Sequence, residues 1–257
     1  MPPLDEHSHA EAHPHLGRTV LITGCSAGGL GHGLALAFHA RGLKVIATAR
    51  TPSKMAELAS EGITTLPLDV LSSDSITTCL SAVSVLTSGR LDMLINNAGG
   101  GYNVPVSDID VTKGKELFDL NVWSYITITQ AFLPLILAAK GMIVNNTSIS
   151  SVEPTPFSSV YHASKAAAAM FSDHMRLELK PFGVRVVDLK TGCVHTNFHG
   201  NRSDDSRLRK GSIYEPIREE AEKAIAARHF SEREELGVWA EGVVRELLMT
   251  DPPARVW

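Results

Sequence analysis

Tyr161 and Lys165 stand four residues apart at the head of an apolar-periodic run, Ala163 to Leu179, that predicts a helix. Residues at that spacing share a helix face, so the phenol and the ammonium project together. An isolated tyrosine ionises at about pH 10. A cation beside it favours the phenolate and lowers that value. A phenol tuned in this way can exchange a proton with a substrate oxygen. The spacing alone is a weak signal, because it arises by chance in many helices. Its meaning depends on what else the chain brings to the same place.

A second chemistry-bearing stretch is Gly24-Cys25-Ser26-Ala27-Gly28-Gly29-Leu30-Gly31. It follows a short apolar strand, Thr19 to Thr23, and precedes a helix expected over Leu34 to Arg41, with Gly42 as its stop. Strand, glycine-rich turn and helix are what a dinucleotide diphosphate needs. Glycines admit the backbone closely, and the N–H groups at a helix start face the phosphates. A plain turn would not need four glycines in eight residues. The next strand, Lys44 to Thr48, ends in Ala49-Arg50. An NAD-selective fold carries an acid here for the ribose hydroxyl. A cation pairs instead with a 2′-phosphate, so NADPH is read over NADH, with an ordinary surface arginine as the plainer alternative.

The elements that would position these groups follow in order. A helix is expected from Thr51-Pro52 to Gly62, then a third strand, Thr64 to Leu68, ending in Asp69-Val70. Asp69 either accepts from an adenine amino group or caps the helix Ser72 to Thr87; both readings stand. Leu91 to Ile95 is the fourth strand, ending in Asn96-Asn97-Ala98-Gly99. Paired asparagines can lock neighbouring strand ends, and Gly99 to Gly101 leave room for a flat cofactor. A long helix, Thr112 to Ala139, carries Asn121 in its middle, a poor helix residue unless it has a local task, and Pro134 should kink its end. Met142 to Asn146 is strand five and leads to Thr147-Ser148. The loop Ser151 to Ser159, with Phe157, returns to the helix bearing Tyr161, whose Ala166 to Ala169 run suits close packing. Gly183 to Leu189 is strand six, followed by Thr191-Gly192-Cys193-Val194-His195-Thr196. Residues 197–218 are polar and irregular, as a lid or mobile loop would be. Residues 219–229 and 232–249 read as helices, and Ala254 to Trp257 could begin a seventh strand.

The 257 residues suffice for one large α/β domain. A net charge of -4 and the lack of a basic block give no reason to expect nucleic acid. No apolar run of membrane length and no secretory signal pattern stand out, so no membrane span is expected. Cys25, Cys79 and Cys193 are too few and too scattered for a disulfide framework or a zinc set, and an intracellular, cytoplasmic location is the default. Residues 1–17 are rich in His, Pro, Glu and Ala. His7, His9, His13 and His15 could grip a metal weakly, but a disordered leader outside the fold is the preferred reading, and no metal site is expected.

With these motifs in register over about residues 18–250, the chain resembles the short-chain dehydrogenases/reductases. The resemblance implies a Rossmann-like, doubly wound parallel sheet of six or seven strands with helices on both faces, in a single domain 18–257 with 197–230 as substrate lid. It implies a catalytic tetrad on Asn121, Ser148, Tyr161 and Lys165. Tyr161 would protonate the forming alkoxide. Lys165 would lower the Tyr161 pKa and bond the nicotinamide ribose. Ser148 would hold the substrate carbonyl, and Asn121 would bend its helix and hold a water that relays protons to Lys165. Gly24, Ser26, Gly28, Gly29, Leu30 and Gly31 would line the diphosphate turn, with Gly28 and Gly29 competing for the central role because the turn is one residue longer than the commonest form. Arg50 would meet the 2′-phosphate, Asp69 and Val70 the adenine, and Asn97, Ala98 and Gly99 the cofactor's flank. Val194 and Thr196 would contact the carboxamide, after a Thr191-Gly192 that stands where Pro-Gly is usual. Phe157 and Phe198 join Ser148 and Tyr161 as substrate-side residues.

Within the family, Thr23-Gly24-Cys25-Ser26, Ala47-Thr48-Ala49-Arg50, Asn97-Ala98-Gly99-Gly100-Gly101-Tyr102 and Arg176-Leu177-Glu178-Leu179 are similar to NADPH-dependent 1-acyldihydroxyacetone-phosphate reductases and their fungal relatives. The expected activity is NADPH-dependent reduction of a ketone to a secondary alcohol. The substrate would be an acyl-dihydroxyacetone phosphate or a specialised-metabolite ketone, and the assembly a homodimer or homotetramer. A non-catalytic NADPH-binding sensor or scaffold is the alternative. Arg202, Arg207, Arg209 and Lys210 could meet a substrate phosphate, although a solvated face is the preferred reading. The reductases in question tend to continue past the final Trp into an apolar tail. With the sequence ending at Trp257, peripheral attachment to a lipid droplet or the endoplasmic reticulum through such a tail is not expected.

Overall fold

Short runs rich in Val, Ile and Leu become strands buried on both faces, the mark of parallel strands covered by helices on each side. The computed structural model describes residues 15–197, 207–226 and 233–257. The expected leader through residue 14, and with it Phe198 and Arg202, lies outside the described residues. The strands are β1 (Thr19–Thr23), β2 (Lys44–Ala49), β3 (Thr64–Pro67), β4 (Met93–Asn96), β5 (Met142–Asn146), β6 (Arg185–Leu189) and β7 (Arg255–Val256). They form one seven-stranded parallel sheet in the order β3-β2-β1-β4-β5-β6-β7. Alternation along β1 sends Val20 and Ile22 to one face and Leu21 to the other.

The first face is covered by α1 (Leu30–Ala40) and α8 (Leu236–Leu247), through Leu34, Phe38, Trp239 and Val243. The second is covered by α3 (Ser73–Leu86), α5 (Ser124–Ala139) and α6 (Ser159–Leu179), with Val83, Ile128, Phe132 and Ile136 at its centre. Among the described residues there are three shorter α-helices: α2 (Ala56–Ser60), α4 (Val111–Phe118) and α7 (Arg218–Ala226).

Several expected boundaries move. Helix α1 starts at Leu30, not Leu34, because its opening turns use glycine where close neighbours leave no room. A Cβ on Gly31 would come within 2.6 Å of the Asn97 amide, and one on Gly33 within 2.8 Å of Leu236. The helix expected from Thr51 is a 3₁₀ turn, Pro52–Met55, followed by α2. Strand β4 begins at Met93 because the Leu91 N–H donates to Leu135 O at 3.0 Å instead of to a strand. The long helix is interrupted by a π-helical turn, Asp119–Trp123, around Asn121, and Pro134 sits inside α5. Helix α8 begins at Leu236, since Glu234 bridges to Val194.

No membrane-length run was expected. The π turn joins α4 and α5 into Val111–Ala139, which by length and composition could cross a bilayer. Its Ile128, Phe132 and Ile136 are instead buried in the core under the sheet.

Candidate active site

The strand ends carry two rows of asparagine. Register aligns Asn96 with Asn145, and Asn145 with Asp188. In the lower row Asn96 donates to Asn145 Oδ1 at 2.8 Å, and Asn145 donates to Ser172 Oγ on α6 at 2.9 Å. In the upper row Thr191 Oγ1 donates to Asn146 Oδ1 at 2.6 Å and Asn146 Nδ2 to Asn97 Oδ1 at 2.8 Å. Asn97 Nδ2 then donates to Thr23 O at 2.8 Å. Four neighbouring strand ends are thus tied by buried amides, which low polarity strengthens. Asparagines do lock the strand ends, but Asn145 and Asn146 share the task with the expected Asn96 and Asn97.

This tied edge leaves the Asn146 carbonyl free to face α6. Lys165 Nζ donates to it at 2.7 Å, and the buried Tyr125 hydroxyl donates to the same oxygen at 3.0 Å. Burial lowers the Lys165 pKa to about 8, with the charge of Asp188 opposing the shift. Burial, with Tyr161 nearby, pushes the Tyr125 phenol up, so that hydroxyl stays a donor. Asn121 is buried in the π turn. Its Oδ1 accepts from Gly100 N–H at 2.9 Å, and its Nδ2 donates to Gly100 O and Ser164 Oγ, each at 3.0 Å. A Cβ on Gly99 would lie 3.1 Å from Asn121 Oδ1 and 3.7 Å from Lys165 Nζ. Asn121 therefore bends its helix and fixes the 99–101 loop, while its side chain is engaged there.

Ser148 follows β5 and is buried; its Oγ accepts from Ser150 N–H at 3.1 Å. Behind it, Asp188 bonds Thr147 Oγ1 and pairs with Lys190 Nζ at 2.8 Å. Lys190 also donates to Ser151 Oγ at 2.7 Å, so the turn carrying Ser148 is pinned to β6.

A cavity of about 510 Å³ runs along the carboxyl ends of β1 to β6, across the point where strand order reverses between β1 and β4. Its wall includes Ser148, Tyr161 and Lys165. Gly24, Ser26, Gly29 and Leu30 line the turn before α1, and Asn97, Ala98 and Gly99 the middle. Asp69, Val70 and Arg50 lie toward β2 and β3, and Val194 and Thr196 beyond β6. Among the described residues Gly28, Gly31, Asn121 and Phe157 are not on its wall. Gly29 rather than Gly28 takes the central place. Gly28 faces Asn197, where a Cβ would meet the amide at 2.2 Å. Asp69 is not the cap of α3. Ser72 is, accepting from Ser75 N–H, while Asp69 accepts from Leu71 N–H at 3.0 Å and keeps its place on the wall.

Helix α1 opens on this cavity with Gly29 as N-cap, no side-chain cap and no acid in its first turn. Such an end offers free N–H groups to an anion. Among the described residues the wall carries Arg50, Lys54, Lys165 and Arg233 against a single carboxylate, Asp69. This donor set fits a phosphate-rich dinucleotide. Sequence reasoning did not single out Lys54, Tyr125 or Arg233.

Residues 207–226 of the expected lid segment pack against the loop before α6. Phe157 adopts a left-handed φ of 64°, and its ring meets Tyr214 edge-on at 5.5 Å, within a cluster that includes Leu208 and Ile225. Asp108, enclosed between the lid and the 102–110 loop, pairs with Arg209 Nε at 3.5 Å and accepts from Arg209 N–H at 3.3 Å. Burial would raise its pKa, but hydrogen bonds from Ser212, Ser107 and Arg209, with the Arg209 charge, hold it below the usual carboxylate range. Arg207, Arg209 and Lys210 do not line the cavity. Among the described residues no cluster of His, Cys, Asp and Glu could hold a metal ion.

A family model described as short chain dehydrogenase matches residues 18–207. A short-chain dehydrogenase/reductase of Pestalotiopsis microspora is 48% identical over 246 residues, 93% of this chain and 84% of that protein. An NADPH-dependent 1-acyldihydroxyacetone phosphate reductase of Schizosaccharomyces pombe is 41% identical over 202 residues, 77% of this chain and 68% of that protein. Among solved structures, a short-chain dehydrogenase from Streptomyces avermitilis matches with a TM-score of 0.80 at 25% identity, covering 93% of this chain and 87% of that one.

Proposed function

The chain belongs to the short-chain dehydrogenase family, and on that premise we propose that it reduces a ketone to a secondary alcohol with NADPH. The observation that carries this reading is that Ser148, Tyr161 and Lys165 line one cavity. Ser148 holds the carbonyl oxygen by a hydrogen bond. Tyr161 gives that oxygen its proton. Lys165, anchored at Asn146 O, supplies the positive charge that favours proton release from Tyr161. NADPH supplies the hydride when bound. Asn121 acts by shaping the backbone around Gly100.

Choice of NADPH is supported by Arg50, by Lys54 one turn further on, and by the excess of cations on the wall. The NADPH-dependent relative at 41% identity agrees with it. The described wall carries the polar groups of Asn103, Ser150, Thr155, Ser158 and His162 beside the apolar Leu120, Ile149 and Val194. These polar groups suit an oxygen-rich specialised-metabolite ketone, and Arg207, Arg209 and Lys210 do not line the cavity. Residues 197–230 serve as the substrate lid. Trp123 and Met170, both exposed, and Phe171, whose ring lies tilted against Trp123 at 5.9 Å, give the π turn and α6 an apolar face for a homodimer or homotetramer.

The test is NADPH consumption across a ketone panel containing an acyl-dihydroxyacetone phosphate, aromatic ketones and polyhydroxylated ketones, with NADH as the control. Tyr161→Phe should lower turnover by roughly 10²–10⁴-fold while NADPH still binds. Near-normal turnover in that variant would remove the role given to Tyr161. Tight NADPH binding with no turnover on any ketone would favour a sensor.

A further inference from the structure

Arg233 precedes α8 by three residues and belongs to none of the sequence motifs. Contacts on both sides fix its position. Glu234 forms a parallel bridge with Val194: its N–H donates to Cys193 O at 2.9 Å, and its carbonyl accepts from His195 N–H at 2.9 Å. Leu236 packs onto Gly33 in the first turns of α1. The segment that Glu234 joins is itself strapped across the glycine turn. Asn197 N–H donates to Gly28 O at 3.0 Å, and its amide donates to Ala27 O at 3.2 Å. Arg233 is thereby carried, half-buried, to the cavity wall beside Cys193 and Thr196. Its charge reaches Cys193, where burial raises the thiol pKa and Arg233 opposes the rise. The neighbouring acid Glu235 turns to His195, at 3.7 Å.

A guanidinium thus shares the cavity wall with the uncapped start of α1, which carries the positive end of the helix dipole. Two positive groups converging on one cleft repel unless an anion lies between them. We propose that Arg233 binds the diphosphate of the dinucleotide from the 193–197 strap, closing it against the α1 N-terminus. This rests on the reading that a dinucleotide occupies the cleft. It does not rest on the choice between NADPH and NADH, since both carry the diphosphate.

Calorimetric binding of NADPH and of NADH to the whole chain tests it, without reference to turnover. Arg233→Met should weaken both dinucleotides by the same factor, about tenfold or more, as expected for loss of a charge-assisted hydrogen bond. Arg233→Lys, which keeps the stem and the charge, should recover part of that loss. Arg50→Ala should weaken NADPH alone. Unchanged affinities in Arg233→Met would overturn the proposal, as would a loss confined to NADPH, which would move Arg233 to the 2′-phosphate. A raised KM for an anionic ketone with unchanged dinucleotide binding would likewise overturn it in favour of a substrate contact. A wild-type chain that bound neither dinucleotide would overturn this proposal together with the cofactor reading.

Discussion

Lys165 is held by a carbonyl, Asn146 O at 2.7 Å, and burial leaves it titrating at about 8. In the unfolded chain it titrates at about 10.5. The native state therefore binds fewer protons between those two values. The stability cost of burying this ammonium is full below pH 8 and is relieved as pH rises through that window. An anionic dinucleotide favours the charged form, so binding at pH 8 should take up about half a proton per site. Calorimetry in buffers of different ionisation enthalpy measures this, and Lys165→Met should abolish the uptake. An unchanged uptake in that variant would assign the proton to another group. Spacing put Tyr161 and Lys165 on one helix face, Ser148 was singled out only through the family resemblance, and all three line the cavity. Asn146 was not, because it acts through its backbone carbonyl, which no residue type advertises. Tyr125 reads as one more apolar helix position, although it shares that carbonyl with Lys165.

At the scale of elements, the site depends on two irregularities. The π turn at Asp119–Trp123 carries Asn121 to Gly100, and Asp108 docks Arg209 of the expected lid segment. Asp108→Asn keeps the shape of the side chain but removes the charge facing Arg209. Amide exchange over 207–212 should speed by about tenfold, the scale of one charge-assisted hydrogen bond, and KM should rise more than kcat falls. Exchange at the wild-type rate would mean that Phe157 and Tyr214 hold the lid without Asp108. The native pKa of Asp108 is lowered, so its contribution to docking is present at neutral pH. It is lost as pH falls through a value below the ordinary carboxylate range of about 4. Strands were legible as short apolar runs, and α6 from its periodicity. The start of α1 was hidden by glycines that carry no hydrophobic signal. The π turn was hidden because one inserted residue leaves the surrounding pattern helical, and only the misplaced Asn121 marked it.

For the whole molecule, the doubly wound parallel sheet was expected through the family resemblance, and even the two-residue β7 was legible as a possible seventh strand. The joint order of the motifs, not periodicity, carried the resemblance to a family with a known sheet. Thr129, Ser172 and Asp188 had no such marker, since their partners lie far away in sequence. The cavity draws residues from the ends of six strands, so no contiguous fragment contains it. A dinucleotide at a hundred times its dissociation constant should therefore stabilise the entire fold by about 2.7 kcal/mol. The melting temperature should rise by roughly 5–10 °C, measured by scanning calorimetry as one transition. Binding without that rise would place the site on a part that unfolds separately. Strand order gives the reason in mechanical form. Arg50 and Asp69 hang on β2 and β3, whereas Ser148 and Lys165 belong to the β4–β6 side, and within the sheet the halves meet along the single seam between β1 and β4. A ligand lying across that seam is a non-covalent crosslink, and an empty cleft leaves the seam to hold by itself.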